Sequence, residues 1–438
     1  MPVATPYLDH VASLVSGYRQ LLGPHQLDAI VVGSGQAARR SQFDDQFWPH
    51  VVTPAFAHWL PLPAPDAFVI VTDAGPPRLV RVVHADFWDS APVAEVDDFW
   101  DGFAVEEVAS VADAVARFPR GRVALIGERV PAVPGAEVNP PALVAAVEAL
   151  RTRKSAYEVA CLREASARAV AGHRHVEQLF ERFEVSELAT HLAYLAASGQ
   201  SERDIPYQNI VARGRHAAVL HHVLYDQRLP NDGRPGPLSV DSLLIDAGAR
   251  YLGYCADITR TWIRGDAPGA NLFRRLRDGL DQLQQRVCAA VKVGMAYETL
   301  HDHAHDLLAV LLIDLEIGQG GADDLVERGV TRALFPHGLG HSLGIQVHDV
   351  GLRLTPPRAD NPFLRNTSTI EPGQVFTIEP GCYVIDALID PLRADDRRGL
   401  LDWHAIEALR PFGGIRIEDN LVVTATGVDN LTRAAWAA

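Results

Sequence analysis

At 438 residues the chain is too long for one ordinary hydrophobic core, so its length predicts two domains. It has the composition of a globular protein, with 47% hydrophobic and 22% charged residues. No segment approaches the roughly 20 consecutive apolar residues of a membrane span. The formal net charge of −15 argues against nucleic acid or an anionic membrane as a partner, because both require basic surface.

The location expected from the sequence is cytoplasmic. The N-terminus lacks the basic region and apolar run of a secretory signal. The four cysteines are scattered without CxxC spacing, which fits a reducing compartment better than a disulfide framework.

The first 154 residues form an α/β pattern, and the charged stretch 151–155 is the candidate linker to a second domain, 155–438. Hydrophobic periodicity and turn residues predict helices at 10–20 and 141–150, strands at 29–32 and 123–126, and a hairpin of 67–72 with 79–83. In the second domain helices come first, at 158–183 and after a Ser186 cap, and further helices are predicted at 272–291 and 297–315.

A hairpin in the second domain carries two acidic residues. The apolar run 242–245 leads into Asp246, glycines mark a turn, and 254–262 alternates like a returning strand that contains Asp257. An unpaired ionised carboxylate in such a strand costs several kcal/mol or more, so a positive charge must accompany the pair. Either Arg260 or a metal ion could supply it.

Three later segments offer further metal ligands. The stretch 335–351 contains His337, His341 and His348 between glycines, and Glu379 and Glu418 each lie beside an apolar, strand-like run. Two Asp, at least one His and two Glu form the ligand set of a carboxylate-rich dinuclear site.

Two other patterns compete with this interpretation. His301, His303 and His305 could bind metal, but we expect a solvated helix face with acidic neighbours. Residues 340–344 match the Gly-x-Ser-x-Gly motif around Ser342, the nucleophile of serine hydrolases. That motif needs a strand before it and a helix after it, whereas 345–349 alternates like a strand, so we set the serine-hydrolase reading aside.

Five motifs resemble those of the creatinase/methionine-aminopeptidase, or pita-bread, metallohydrolases, and within them the bacterial Xaa-Pro dipeptidases (prolidases). The resemblance covers essentially the whole chain, and the motifs occur in the family's order: AVLH at 218–221, IDAG and AD at 245–257, PHGLGH and VHD at 336–349, TIEPG at 377–381 and GIRIED at 414–419. The resemblance implies a small creatinase-like α/β domain followed by a pita-bread domain, whose curved, mainly antiparallel sheet is covered by helices.

The resemblance also assigns roles to residues. It implies two divalent metal ions, Mn²⁺ above Zn²⁺ or Co²⁺, with Asp257 and Glu418 as bridging ligands; the full ligand set is Asp246, Asp257, His341, Glu379 and Glu418. His221, His337 and His348 match the family's histidines that support the metal ligands or contact the substrate. His222 is a departure, because similar proteins usually carry an aromatic residue there.

Positions outside the ligand set follow from the same matching. Arg365 resembles the arginine that grips a dipeptide's C-terminal carboxylate, which a planar guanidinium can bind with two hydrogen bonds. Tyr207 and Arg416 match positions that orient the ligating carboxylates. Asp44 and Asp45 match an acidic stretch that reaches the partner's pocket in a homodimer.

The implied reaction is hydrolysis of Xaa-Pro dipeptides by a metal-bridging hydroxide. Glu379 is expected to take the proton of the water and pass it to the leaving nitrogen, while His337 or His348 stabilises the tetrahedral species. Aminopeptidase P, acting on longer peptides, is the alternative within the fold. Side activity on organophosphorus triesters and a metal-free binding protein remain open.

Overall fold

The computed structural model describes residues 4–83, 97–229, 241–266 and 268–438. The chain divides into two compact units, Met1–Ala160 and Cys161–Ala438. The stretch 151–155 belongs to the first unit, and Arg151 and Lys154 within it are buried rather than solvated. Among the described residues no helix is both long and apolar enough to cross a membrane.

The first unit is a six-stranded mixed sheet with helices. Its strands are β1 (Ala29–Gly33), β2 (Ala67–Thr72), β3 (Arg78–Val82), β4 (Ala104–Val108), β5 (Val123–Ile126) and β6 (Glu137–Val138), and its helices are α1 (Ala4–Leu22), α2 (Pro54–Ala57), α3 (Val111–Ala116) and α4 (Pro141–Ala149). The strand order is β4-β3-β2-β1-β5-β6. The predicted hairpin is present as the antiparallel pair of β2 and β3. β1 is buried along its whole length, as its unbroken apolar sequence requires.

The second unit places helices around small antiparallel sheets. Its helices are α5 (Ala156–Arg182), α6 (Glu187–Ser198), α7 (Ala270–Ala290), α8 (Tyr297–Asp314), α9 (Ala322–Glu327), α10 (Val330–Leu334), α11 (Asp386–Ala394), α12 (Trp403–Leu409) and α13 (Leu431–Ala437). Its strands are β7 (Ile210–Arg213), β8 (Asp241–Asp246), β9 (Arg250–Tyr251), β10 (Tyr254–Cys255), β11 (Thr259–Arg264), β12 (Val375–Ile378), β13 (Gly381–Tyr383), β14 (Gly414–Arg416), β15 (Asp419–Val423) and β16 (Val428–Asn430). Ser186 caps α6 as predicted, since its hydroxyl accepts a hydrogen bond from the amide of Ala189.

The acidic hairpin forms as β8 and β11, which pair antiparallel so that Asp246 lies opposite Thr259. β7 flanks β8, while β12, β15 and β16 form a second sheet and β13 and β14 a third. A bridge between Thr259 and Glu418 joins the hairpin to the segment between β14 and β15. Strand ends from separate sheets therefore meet at one place.

The core behind these strand ends is made by α7 and α8. Apolar residues repeat every three or four positions along α7, and this face is buried: Phe273, Leu276, Leu280, Leu283 and Val287. Each such side chain stabilises the fold by about 1.5–3 kcal/mol. Gly279 permits a close approach of the two helices, because a Cβ there would lie 2.3 Å from Leu311 Cδ1.

Two local predictions were wrong. His301 and His305 are 3% and 1% exposed and pack near the ring of Phe335, so they do not form a solvated helix face. Residues 345–349 are bends instead of a strand, because the amide of Asp349 donates to the carbonyl of Ser342 and folds the segment back. This reversal brings the ring of His348 to 4.5 Å from that of His341.

Candidate metal centre

The five candidate ligands converge at the meeting point of the strand ends. Asp246 is the last residue of β8, Glu379 follows β12, and Glu418 lies between β14 and β15. His341 Nε2 lies 3.3 Å from Asp257 Oδ2, 3.5 Å from Glu379 Oε1 and 3.9 Å from Glu418 Oε1. Ligand atoms of Asp257, His341 and Glu418 lie within 4.8 Å of one another, which is close enough to share one ion.

Tyr207 links the remaining carboxylate to this group. Its hydroxyl lies 2.6 Å from Asp246 Oδ1 and also contacts Asp257 Oδ1. One hydroxyl proton can be donated to only one of these oxygens at a time. Burial and the neighbouring Asp246 raise the pKa of Tyr207 well above its ordinary value, so the phenol keeps that proton. Tyr207 thus holds the two aspartates side by side.

Arg416 is the fixed cation of the site. Its guanidinium donates to Asp246 Oδ2 at 2.5 Å, to Thr259 Oγ1 at 3.2 Å and to the Tyr383 hydroxyl at 3.0 Å. Burial by itself would raise the pKa of Asp246, but Arg416 and Tyr207 hold that pKa below its ordinary value. Asp246 is therefore the carboxylate that the protein itself keeps ionised.

The other three carboxylates accept no hydrogen bond from the guanidinium of any described residue, and their pKa values are raised. Burial raises the pKa of Glu379 to about 7, and burial together with Asp257 raises the pKa of Glu418 well above its ordinary value. Burial and Asp246 likewise raise the pKa of Asp257. Burial would lower the pKa of His341, yet its hydrogen bond to Asp257 and the nearby Glu379 raise it to about 9. In the metal-free protein, protons therefore replace the missing positive charge.

One buried oxygen identifies where a cation fits. Glu418 is 1% exposed; Thr259 Oγ1 donates to its Oε2 at 2.6 Å, while its Oε1 has no hydrogen-bond partner in the described part of the chain. A buried acceptor without a partner costs about 1–3 kcal/mol. Four carboxylates and one imidazole around such an oxygen suit divalent cations, which require deprotonated ligands. The residues fit the metal group that their sequence pattern implies.

The rim of the cluster carries the other predicted residues. His221 and Arg365 are exposed. Burial and the neighbouring His341 lower the pKa of His348 to about 3, and the positive charge of Arg365 acts in the same direction. Arg365 has no hydrogen bond or ion pair to any described residue, so its guanidinium can bind a ligand. His222 instead donates to Glu187 at 2.8 Å and turns away from this group.

His337 lies deeper than the rim. Its Nε2 is 2.8 Å from the Tyr383 hydroxyl, its Nδ1 is 2.9 Å from the carbonyl oxygen of Gly338, and its Nδ1 is 3.8 Å from Glu379 Oε2. Burial and the charge of Arg416 lower the pKa of His337 to about 3, so the ring is neutral.

Two residues of the site were missed by the sequence reasoning. Tyr383 connects His337 to Arg416, and Thr259 holds both Glu418 and Arg416. Thr259 has a readable signal, because the sequence pattern puts it two residues after Asp257 on one predicted strand, 254–262. In the structure that strand is interrupted, since Asp257 lies between β10 and β11 and only Thr259 is on β11. Tyr383 has none, because it reaches the site only through the pairing of β13 with β14.

The serine alternative has no geometric basis. Ser342 is 3% exposed and its hydroxyl has no hydrogen-bond partner among the described residues, so no base is placed to activate it.

Comparison with known proteins identifies the class. Residues 160–425 match the sequence profile of metallopeptidase family M24, and residues 5–148 match the profile described as the Xaa-Pro dipeptidase N-terminal domain. The chain belongs to metallopeptidase family M24, so it is a hydrolase with a creatinase-like N-terminal domain and a pita-bread catalytic domain.

Comparison with individual proteins shows which members of the family the chain resembles. The chain is 41% identical to the Xaa-Pro dipeptidase of Marinobacter nauticus (97% of this chain, 96% of the relative) and 38% identical to that of Stenotrophomonas maltophilia (99% and 97%). Among solved structures, aminopeptidase P from E. coli with the inhibitor Pro-Leu has a TM-score of 0.73 at 22% identity, covering 96% of this chain and 94% of that one. At that identity the structural likeness supports the fold alone.

Proposed function

We propose that the protein is an Xaa-Pro dipeptidase that binds two divalent metal ions and releases a free amino acid and proline. The observation that carries the proposal is the buried group of Asp257, His341 and Glu418, whose ligand atoms could hold one ion, with a Glu418 oxygen that has no hydrogen-bond partner among the described residues. Glu379 and Asp246 extend this group through His341 and Tyr207. Full-length similarity to proteins named Xaa-Pro dipeptidase supports the substrate class. The oxygen-rich ligand set favours Mn²⁺ over Zn²⁺ or Co²⁺.

In this proposal Asp246, Asp257, His341, Glu379 and Glu418 would hold the ions. Their charges balance in a simple way: the four carboxylates carry −4 and Arg416 carries +1, so two divalent ions bring the buried site close to neutrality. When bound, the ions lower the pKa of a water molecule and stabilise the negative charge that develops on the substrate carbonyl.

Glu379 is the group that moves the proton. Its side chain is the most open of the four carboxylates, at 16% exposure against 12%, 7% and 2% for Asp246, Asp257 and Glu418. It can therefore contact both the attacking water and the leaving nitrogen, accepting a proton from the first and delivering it to the second. Thr377 orients it through a hydrogen bond of 3.4 Å from its hydroxyl to Glu379 Oε1.

The histidines and Arg365 bind the dipeptide. His348 is neutral at pH 7, since burial and the neighbouring His341 lower its pKa to about 3, and it can donate a hydrogen bond to the tetrahedral species. The single N–H of neutral His337 is already donated to the carbonyl of Gly338, so His337 acts by holding the Tyr383 hydroxyl in place. Arg365 binds the C-terminal carboxylate of proline, and His221 borders the same pocket. The nitrogen of an Xaa-Pro bond is the ring nitrogen of proline and carries no N–H. The protein would therefore recognise the two ends of the dipeptide instead of a hydrogen bond at the scissile bond.

We also propose a cytoplasmic homodimer. All four cysteines are free and buried, which suits a reducing compartment. In the first unit Phe43, Trp48 and Val51 are 90%, 56% and 58% exposed beside Asp44 and Asp45, an apolar surface with acidic residues that a second copy would cover. Light scattering that gave only the monomer mass would contradict this part.

The test of function compares substrates on one preparation. Protein reconstituted with Mn²⁺ should cleave Ala-Pro and leave Ala-Pro-Ala intact, because a third residue displaces the carboxylate from Arg365. Cleavage of the tripeptide at a similar rate would make the protein an aminopeptidase P instead. A phosphotriester added to the same assay would measure the organophosphorus side activity that the family resemblance implies.

A further inference from the structure

A second cluster of metal-ligand side chains lies in the second unit, and the proposed reaction does not use it as a metal site. It consists of Glu187 at the start of α6, His216 in the short 3₁₀ helix Gly214–Ala218, and His222 in the following loop. His216 Nδ1 is 2.7 Å from Glu187 Oε1 and His222 Nε2 is 2.8 Å from Glu187 Oε2. The three ligand atoms lie within 4.8 Å of one another.

The carboxylate is fixed in place before any ion binds. Glu187 is 1% exposed, and its two oxygens accept hydrogen bonds from the backbone amides of Arg213 at 2.9 Å and Asp226 at 2.8 Å. Such outer contacts orient ligating carboxylates in metal sites. Both imidazoles approach the same carboxylate, and their rings stack with centroids 4.3 Å apart. Two nitrogens and two oxygens therefore point at one small region.

The cluster is open on one side. The His216 side chain is 44% exposed while that of His222 is 11% exposed, so solvent reaches the cluster from the His216 side. An ion can enter there and retain a water ligand. Two imidazoles, one carboxylate and an open position are a ligand set that zinc uses in proteins.

We propose that Glu187, His216 and His222 bind one divalent transition-metal ion, with Zn²⁺ as the preferred ion, at a site separate from the candidate metal centre. The ion takes the place of the two imidazole protons that now face Glu187, and each neutral ring carries its proton on its other nitrogen. His222 stands where similar proteins usually carry an aromatic residue, and metal binding would give this histidine a role. This proposal does not depend on the peptidase activity.

A comparable cluster in the first unit lacks these features. His10, His58 and Glu158 are all buried, so no side is open to an ion or to water. Both ring nitrogens of His10 already have partners, Ser155 Oγ at 2.9 Å and the carbonyl of His58 at 2.7 Å. Glu158 accepts from the amide of Ser155 at 2.7 Å in a capping box for α5. This group is structural.

The experiment starts from the full-length double variant Asp257→Asn/Glu418→Gln, which disables the candidate metal centre. Titration with Co²⁺, followed by its visible absorption, should show one ion bound per chain, and Zn²⁺ should displace it. Adding His222→Phe should weaken binding by more than about 100-fold, because loss of a ligand exceeds the 10- to 100-fold typical of outer-contact changes. His303→Phe, a change of the same type outside the cluster, should leave binding unchanged.

A second variant guards against misfolding. His216 is the most exposed of the three ligands, so His216→Gln should keep the fold while also weakening Co²⁺ binding. The proposal is overturned if the double variant binds no Co²⁺, or if Co²⁺ binds equally well with both His216→Gln and His222→Phe in place. Either result would leave the cluster as a hydrogen-bonded clamp.

Discussion

Replacing Glu418 by glutamine separates metal binding from folding. Burial and the neighbouring Asp257 raise the pKa of Glu418 well above its ordinary value, which favours its protonated form, and glutamine has nearly the shape of that neutral form. The hydrogen bond from Thr259, 2.6 Å long, can be kept by the amide oxygen. We expect the free energy of unfolding of metal-free Glu418→Gln to differ from wild type by less than about 1 kcal/mol.

The weaker metal binding of Glu418→Gln should become visible when Mn²⁺ is added. A ligand at 100 times its dissociation constant stabilises the folded state by about 2.7 kcal/mol. For a unit the size of Cys161–Ala438 that corresponds to a rise of roughly 5 °C in Tm. We expect this rise for wild type with Mn²⁺ and little of it for Glu418→Gln, because an amide cannot bridge two cations.

Differential scanning calorimetry of the stripped proteins, with and without Mn²⁺, measures both quantities. Thr367→Ser, a small change away from the cluster, is the matched control. The reasoning would be refuted by a metal-free variant that is several kcal/mol less stable than wild type, or by an equal rise in Tm for both proteins.

Three further predictions concern other parts of the structure. Arg365→Met should lower kcat/KM for Ala-Pro by about 10- to 150-fold, the worth of a charged hydrogen bond of about 1.5–3 kcal/mol, and leave Ala-Pro-amide unaffected; equal losses on both substrates would contradict carboxylate binding. Tyr383→Phe should lower kcat by about tenfold or more, since it frees His337 and Arg416 from a shared partner, while the Tm rise with Mn²⁺ persists. Burial and the neighbouring His301 lower the pKa of His305 to about 2 in the folded protein. As pH falls below 6.5, His305 therefore becomes protonated in the unfolded chain but not in the folded one, and the free energy of unfolding decreases. Between pH 6.5 and 4.5 the wild type should lose up to about 3 kcal/mol more than His305→Leu in urea unfolding, and parallel losses would show that His305 is not the cause.

The structure brings the five candidate ligands together, and the sequence suggested this because the four acidic ones each lie at or beside an apolar run. An acidic residue beside a buried strand needs a compensating positive charge, and four such residues in one chain can share that charge only if they lie together. The same reasoning could not find Tyr383, which reaches the site only because β13 pairs with β14. It could not find Glu187 either, because in the sequence Glu187 is an ordinary glutamate in the first turn of a helix, next to the Ser186 cap.

His301 and His305 show where the reasoning failed although a signal was present. They lie on one helical stripe with Leu308 and Leu312, which are buried, and that stripe continues the core face of α8. The neighbouring Asp302 and Asp306 suggested a solvated surface, but they lie on another face of the helix. The position of His301 and His305 on the apolar stripe of the helix was a better guide to their burial than the charge of the residues next to them in the sequence.

The measurement that tests the central claim most directly is hydrolysis of Ala-Pro by metal-stripped wild type, before and after addition of Mn²⁺, beside Glu418→Gln under the same conditions. The account predicts no activity without metal, full activity on reconstitution of wild type, and none for the variant. Hydrolysis that persisted in the stripped protein, or that returned fully in Glu418→Gln, would contradict a catalytic metal centre at this cluster.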